Sequence, residues 1–324
     1  YVAALPGETA ECVCHGLNLV FSHVGMVPRV LVFDNATGVG RRRADGTVTQ
    51  TRLFSLFCAH YGFETRFCNP CSGHEKGSTE NAVGFLRRNL MVPTPSAEGW
   101  DRLTDAWLER CDEIAHADHY REDVPIRDLF GTDLDHMLPL PPSMFDACDW
   151  RDVKTDRTGT VTIDSNRYLA GPKWHSMRLM AGVRALRVEL RSMDGEPIVT
   201  LERRWGHSPD TAMDPLSLLA IIARKPRSWG ESPIRSDFPE ETRMLLDRME
   251  PRERGPLVDD IRRAAVASGF HAAAMAVAEI VAAGRRPDRA AIDQTARRIA
   301  QGDGPESRAR LDAYSRFMRE DDGE

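Results

Sequence analysis

The sequence predicts an α/β domain that runs into a small β-barrel and ends in a helical tail. Three observations carry this reading. In the first ninety residues, short continuously apolar runs, Val30-Leu31-Val32-Phe33 above all, alternate with amphipathic stretches of helical length. From Val153 to Trp205 the pattern changes to short β-rich runs between turn signals at Asp164-Ser165-Asn166 and Asp194-Gly195. Beyond residue 206 alanine-rich stretches at helical spacing take over.

Element by element, Tyr1 to Leu5 has the β-branched and apolar content of a strand, and Pro6-Gly7 breaks it. Glu8 to His23 reads as a helix, with Val13, Leu17, Val20, Phe21 and Val24 on one stripe and Gly25 and Pro28 ending it. Arg29 to Phe33 is a buried strand closed by Asp34-Asn35, and an arginine-rich loop follows at Gly40 to Arg43. A helix from about Thr49 to Tyr61, a strand at Phe63 to Phe67, a loop over Asn69 to Ser78 and a helix from Ser78 to Leu90 complete the open α/β pattern. An acidic helix falls within 96–120, and Leu138-Pro139-Leu140-Pro141-Pro142 is a stiff linker. In the tail, Gly255-Pro256 reads as a break before a helical stretch from Ala264 to Ala283. The expected divisions are 1–92, an acidic helical connector over 93–150, a β-barrel over 151–205 and a helical tail over 206–324.

The chain has 324 residues and a net charge of −6, with enough hydrophobic residues to exclude wholesale disorder. No eighteen-residue apolar run and no basic leader before an apolar stretch occurs, so a cytoplasmic location is expected, with no membrane partner. Seven irregularly spaced cysteines argue for reduced thiols. The small net charge hides an alternation: residues 28–92 and 151–205 each carry +4, and the segment between them carries −10. Local patches rather than the total govern nucleic-acid binding, so the basic segments are candidate DNA contacts.

The informative pair of acids is Asp34, at the mouth of a buried strand, and Glu80, 46 positions later on a helix. Mg²⁺ is held by a few carboxylates together with water and phosphate oxygens, which suits acids offered from separate rigid elements. At 100° per residue, Lys76, Glu80, Gly84 and Arg87 share one helix face, with Ala82, Val83, Leu86 and Leu90 as the apolar stripe beside it. Gly84 lets a bulky backbone approach, and Arg87 and Arg88 supply charge for phosphates. Taken alone, the same residues describe an ordinary amphipathic helix with a Lys76–Glu80 ion pair, and Asp34 describes a helix cap.

Four stretches in order, Val32-Phe33-Asp34-Asn35, His60-Tyr61-Gly62-Phe63-Glu64, Arg66-Phe67-Cys68-Asn69-Pro70 and His74-Glu75-Lys76-Gly77-Ser78-Thr79-Glu80-Asn81, resemble the catalytic core of the DDE transposase and retroviral integrase superfamily. The nearest resemblance is to IstA-type insertion-sequence transposases. It extends to Leu138–Pro142 with Phe145-Asp146, to Asn166-Arg167-Tyr168 and to Ala223-Arg224-Lys225-Pro226. The resemblance implies a truncated RNase H-like core in which Asp34 matches the second and Glu80 the third of three acids that bind two Mg²⁺ or Mn²⁺ ions. It also implies DNA transposition and integration by attack of a 3′-hydroxyl on a target phosphodiester, a homo-oligomer, and a helper ATPase as partner. The first acid is expected on a strand upstream of Tyr1, as is an N-terminal helix-turn-helix, so the chain alone is expected to be catalytically silent. The alternative is a non-catalytic DNA-binding or regulatory remnant of a transposase.

Expected DNA contacts are Arg41, Arg42, Arg43, His74, Lys76, Arg87 and Arg88, joined by a basic sheet face carrying Arg167, Lys173, Arg178, Arg184, Arg187 and Arg191. Tyr168 and Trp174 are read first as core filling and second as base-stacking groups. A weaker reading takes Cys12, Cys14 and His15, or Cys68, Cys71 and His74, as zinc ligands, although Cys12 and Cys14 sit roughly 200° apart on a helix. A Cys71–His74 nucleophile pair is weaker still, because no oxyanion-hole context accompanies it.

Overall fold

The computed structural model describes residues 1–33, 37–43, 47–68 and 73–302, without the side chains of Arg42 and of residues 73–80. It is a mixed α/β chain that divides into two compact units. One takes 1–153 and 178–208, and the other takes 154–177 and the helical region from Pro209 onward.

In the first unit α1 (Ala10–Val24) starts after Thr9 and stops where Gly25 turns left-handed, φ 78°, with its N–H returned to the Phe21 carbonyl. Strands β1 (Met26–Val27) and β2 (Val30–Phe33), a hairpin of β3 (Gly40–Arg42) and β4 (Val48–Gln50), α2 (Arg52–Tyr61), β5 (Glu64–Phe67) and α3 (Gly73–Leu90) follow. Helix α2 begins later than its periodicity suggests because residues 48–50 are hydrogen-bonded to β3. Thr51 then caps the helix, its hydroxyl accepting from the Phe54 N–H. The opening residues Tyr1 to Leu5 are not a strand. The amide of Ala4 instead donates to the Thr104 hydroxyl at 3.0 Å, and that hydroxyl donates back to the Ala4 carbonyl. The segment thereby meets its backbone bonding through a helix, α4 (Trp100–Ile114), where no strand partner is at hand.

The core of this region is aromatic. Phe21, Phe54, Phe57, Tyr61 and Phe63 are buried and pack with ring centroids 4.8–6.3 Å apart, and Leu31, Phe33 and Phe67 lie against them. After α4 come α5 (Ile126–Leu134) and β6 (Leu138–Pro139), which pairs antiparallel with β1 and lays Leu138 and Leu140 on the same core.

The β-rich segment holds β7 (Asp149–Lys154), β8 (Thr160–Ile163), β9 (Asn166–Leu169), β10 (Arg178–Val183), β11 (Arg187–Arg191) and β12 (Pro197–Glu202), and β13 (Thr211–Ala212) follows it. The expected barrel is corrected here. The strands form two open sheets, ordered β12-β11-β10-β7 and β13-β9-β8, and no closed barrel forms among the described residues. The reason lies in β9, whose outer edge is taken in parallel by Thr211-Ala212 from beyond the expected module. Tyr168, on β9, is buried, as core filling requires.

The second unit is dominated by α6 (Pro215–Arg224), α7 (Glu240–Arg248), α8 (Pro251–Ser268), α9 (Phe270–Ala282) and α10 (Arg289–Gly302) around a core of Leu219, Trp229, Ile261, Val277 and Ile292. Gly255-Pro256 does not break the chain but lies inside α8, and the glycine serves packing there: a Cβ on Gly255 would come within 2.9 Å of the Ala223 carbonyl on α6. The interruption falls at Gly269 instead, φ 84°.

Candidate functional site

Strands β2 and β5 are parallel and in register from Val30↔Glu64 to Phe33↔Phe67, and the Cys68 N–H extends the ladder to the Phe33 carbonyl at 2.9 Å. Both strands therefore end at the same edge, and in open α/β sheets the carboxyl ends of parallel strands are where ligands bind. Asp34 is the residue after the last of β2, and the chain leaving β5 enters α3, whose first turns carry His74, Lys76 and Glu80. Asp34 lies outside the described residues, as do the side chains of His74, Lys76 and Glu80.

Helix α3 begins at Gly73, five residues before the position its sequence suggests. Its apolar stripe is corrected as well. Leu90 is buried and Leu86 packs beside it against Leu103 and Trp107, but Val83 and Phe85 are more than 40% exposed. Among the described side chains of α3, docking falls on Leu86 and Leu90 at its C-terminal end. Arg87 and Arg88 are exposed in its last turn, and a Cβ on Gly84 would meet only the Arg88 guanidinium, at 3.5 Å. Among the described residues, Gly84, Arg87 and Arg88 leave this end of the face uncovered.

The arginine-rich segment is a hairpin rather than a loop, with Arg41 opposite Thr49 and Arg42 opposite Val48. It is held firmly. Val39 is fully buried in the aromatic core, the Thr51 N–H donates to the Val39 carbonyl at 2.9 Å, and Gln50 donates to the Thr65 hydroxyl of β5 at 2.7 Å. Gly38 lies so close to the backbone of Glu8 that a Cβ there would be 2.3 Å from its carbonyl oxygen. Arg41 and Arg43 stand exposed on this anchored element, a suitable geometry for phosphate contact.

The basic sheet face is corrected too, because acids compensate most of it. Arg184 binds Asp146 at 2.9 and 3.0 Å and Glu189 at 2.9 Å, Arg191 shares Glu189, and Arg178 pairs with Asp152. Arg167 faces Asp156 at 3.5 Å. Burial works to raise the Glu189 carboxyl, but hydrogen bonds from Arg191 and Arg184 outweigh it and hold the group below its ordinary value. Trp150, which the sequence pattern does not single out, lies across Gly182 with the guanidinium of Arg191 5.3 Å above its ring.

The thiols behave as core groups. Cys12 and Cys14 are buried, burial pushes both upward, and burial takes Cys58 up to about 11. His15 turns to Asp101 at 3.8 Å, and burial lowers it. Among the described residues no three His, Cys, Asp or Glu side chains converge on a metal-sized site, and Cys71 lies outside them. No helix among the described residues is long and apolar enough to cross a membrane.

No family model matches the chain. Over 245 residues it is 26% identical to a transposase of Aminobacter aminovorans, covering 74% of this chain and 48% of that protein. Over the same length it is 25% identical to the transposase for insertion sequences IS1326/IS1353 of Pseudomonas aeruginosa, covering 72% and 47%. The chain is similar to insertion-sequence transposases. A 92-residue stretch is also 33% identical to the putative transposase for insertion sequence element IS5376 of Geobacillus stearothermophilus, covering 28% of this chain and 23% of that protein. The chain spans about half the length of the first two relatives.

Proposed function

We propose that this chain is the part of an insertion-sequence transposase that carries two acids of a DDE centre and a DNA-contacting hairpin. The observation that carries the reading is the match to transposases over 245 residues, to which the chemistry of the residues adds detail. Asp34 and Glu80, at the mouth of an RNase H-like sheet, would share Mg²⁺ or Mn²⁺ with a third carboxylate that is assigned to no residue here. The metal supplies Lewis acidity toward the phosphodiester. Arg41, Arg42 and Arg43 on the hairpin, and His74, Lys76, Arg87 and Arg88 on α3, hold the DNA backbone. Homo-oligomer formation and a helper ATPase belong to the same reading, through the IstA-type resemblance.

The test places the chain in a reading frame that supplies the remaining half of a transposase and measures strand transfer to target DNA. Asp34→Asn or Glu80→Gln is expected to lower the rate by ~10²-fold or more, since misplaced ions at a reacting phosphate cost at least that. DNA binding should survive both changes. Undiminished transfer by both variants overturns the DDE assignment. DNA binding without any transfer by the parent points to the remnant.

A further inference from the structure

A buried ion cluster lies away from that site, at the head of α1. Glu11 is 3% exposed, and a carboxylate so placed needs partners. They come from the two edge strands of the four-stranded sheet. Arg151 of β7 donates to Oε1 at 3.2 Å, and Arg203, one residue past β12, brings Nη1 to 3.8 Å of the same oxygen. Arg203 is itself 5% exposed and donates to the Arg184 carbonyl at 2.8 Å. Its guanidinium lies 4.1 Å from the Trp205 ring centre, and the Trp205 Nε1–H donates to the Ala185 carbonyl at 3.2 Å. That ring fills the space beside Gly7, where a Cβ would come within 2.4 Å of it.

One carboxylate thus ties the start of α1 to both edges of a sheet more than a hundred residues away in sequence. We propose that Glu11 is the latch that locks both edges of the four-stranded sheet to the head of α1, so that the sheet does not open separately from the α/β core.

Hydrogen exchange on the whole chain tests the locking, with Glu11→Gln keeping the shape but not the charge. The amides of Arg184 and Arg203, which donate to the Arg187 and Leu186 carbonyls on the sheet side, and those of Val13 and Cys14 on α1, should exchange at least about tenfold faster, while those of Phe54 and Phe57 stay unchanged. Unchanged exchange on the sheet side overturns the proposal. Should Glu11→Gln fail to fold, Arg151→Gln removes only the more exposed arm and is expected to loosen the β7 edge alone.

Discussion

The β3–β4 hairpin and the four-stranded sheet are both rich in arginine, and they use it in opposite ways. On the hairpin Arg41 and Arg43 are exposed, and among the described residues no ion pair involves them. On the sheet Arg184 sits between Asp146 and Glu189, Arg191 against Glu189, and Arg178 against Asp152. The two segments carry the same +4 in sequence. The difference teaches that a charge already matched by a neighbouring carboxylate releases few counterions when DNA arrives, whereas an exposed one releases its full share.

The largest effect that separates the two regions is on stability. Arg203→Met removes a buried partner of Glu11 and leaves its carboxylate under-compensated, so denaturant unfolding should show a loss of about 3–5 kcal/mol. The doubly altered Arg41→Ala/Arg43→Ala chain should unfold at the parent's midpoint, because nothing buried depends on those side chains. Equal losses in the two variants would erase the distinction between structural and available arginines.

A moderate effect is expected in DNA binding. The same hairpin double variant should flatten the slope of log affinity against log salt by about 2, one for each phosphate that is no longer neutralised. Arg184→Ala should leave that slope unchanged, since its charge is already matched within the sheet. A larger change with Arg184→Ala than with the hairpin variant reverses the comparison.

The sequence made the alternation of strands and helices around the aromatic core legible, since Val30 to Phe33 is apolar at strand length, Phe63 and Phe67 bracket a second strand, and Gly25 and Gly62 mark helix ends, although Val32 is 63% exposed and the first strand is not the fully buried one its composition suggests. It also made Tyr168 legible as a core residue. What escaped it depends on distant partners. Tyr1 to Leu5 has strand composition, but a strand needs a neighbour, and Thr104 took its hydrogen bonds. Arg184 reads as a free cation until Asp146 folds against it, and Glu11 reads as a routine first-turn acid of a helix. The proline run at 138–142 announces stiffness but not that Leu138 and Leu140 lie on the aromatic core. The proposed pairing of Asp34 and Glu80 rests on chemistry and resemblance alone, since no periodicity in a sequence brings two separated carboxylates together and both groups lie outside the described residues and side chains.

The smallest expected effect concerns pH and rests on Glu189. Burial alone would raise this carboxyl, but Arg191 and Arg184 together hold it below its unfolded value. A group depressed on folding stabilises the protein at neutral pH, above its unfolded value, and that contribution fades as the pH falls through the folded value. Stability of the parent should therefore drop in the acid range, below roughly pH 4.5. Arg184→Ala withdraws one of the two donors, so part of the contribution is already missing at pH 7 and the remaining acid drop is shallower. Thermal unfolding across pH 3–7 measures it. Because Arg41 and Arg43 have no such carboxylate in the described structure, the hairpin variant should keep the parent's acid limb, and a shift of that limb would show that the hairpin arginines are compensated after all.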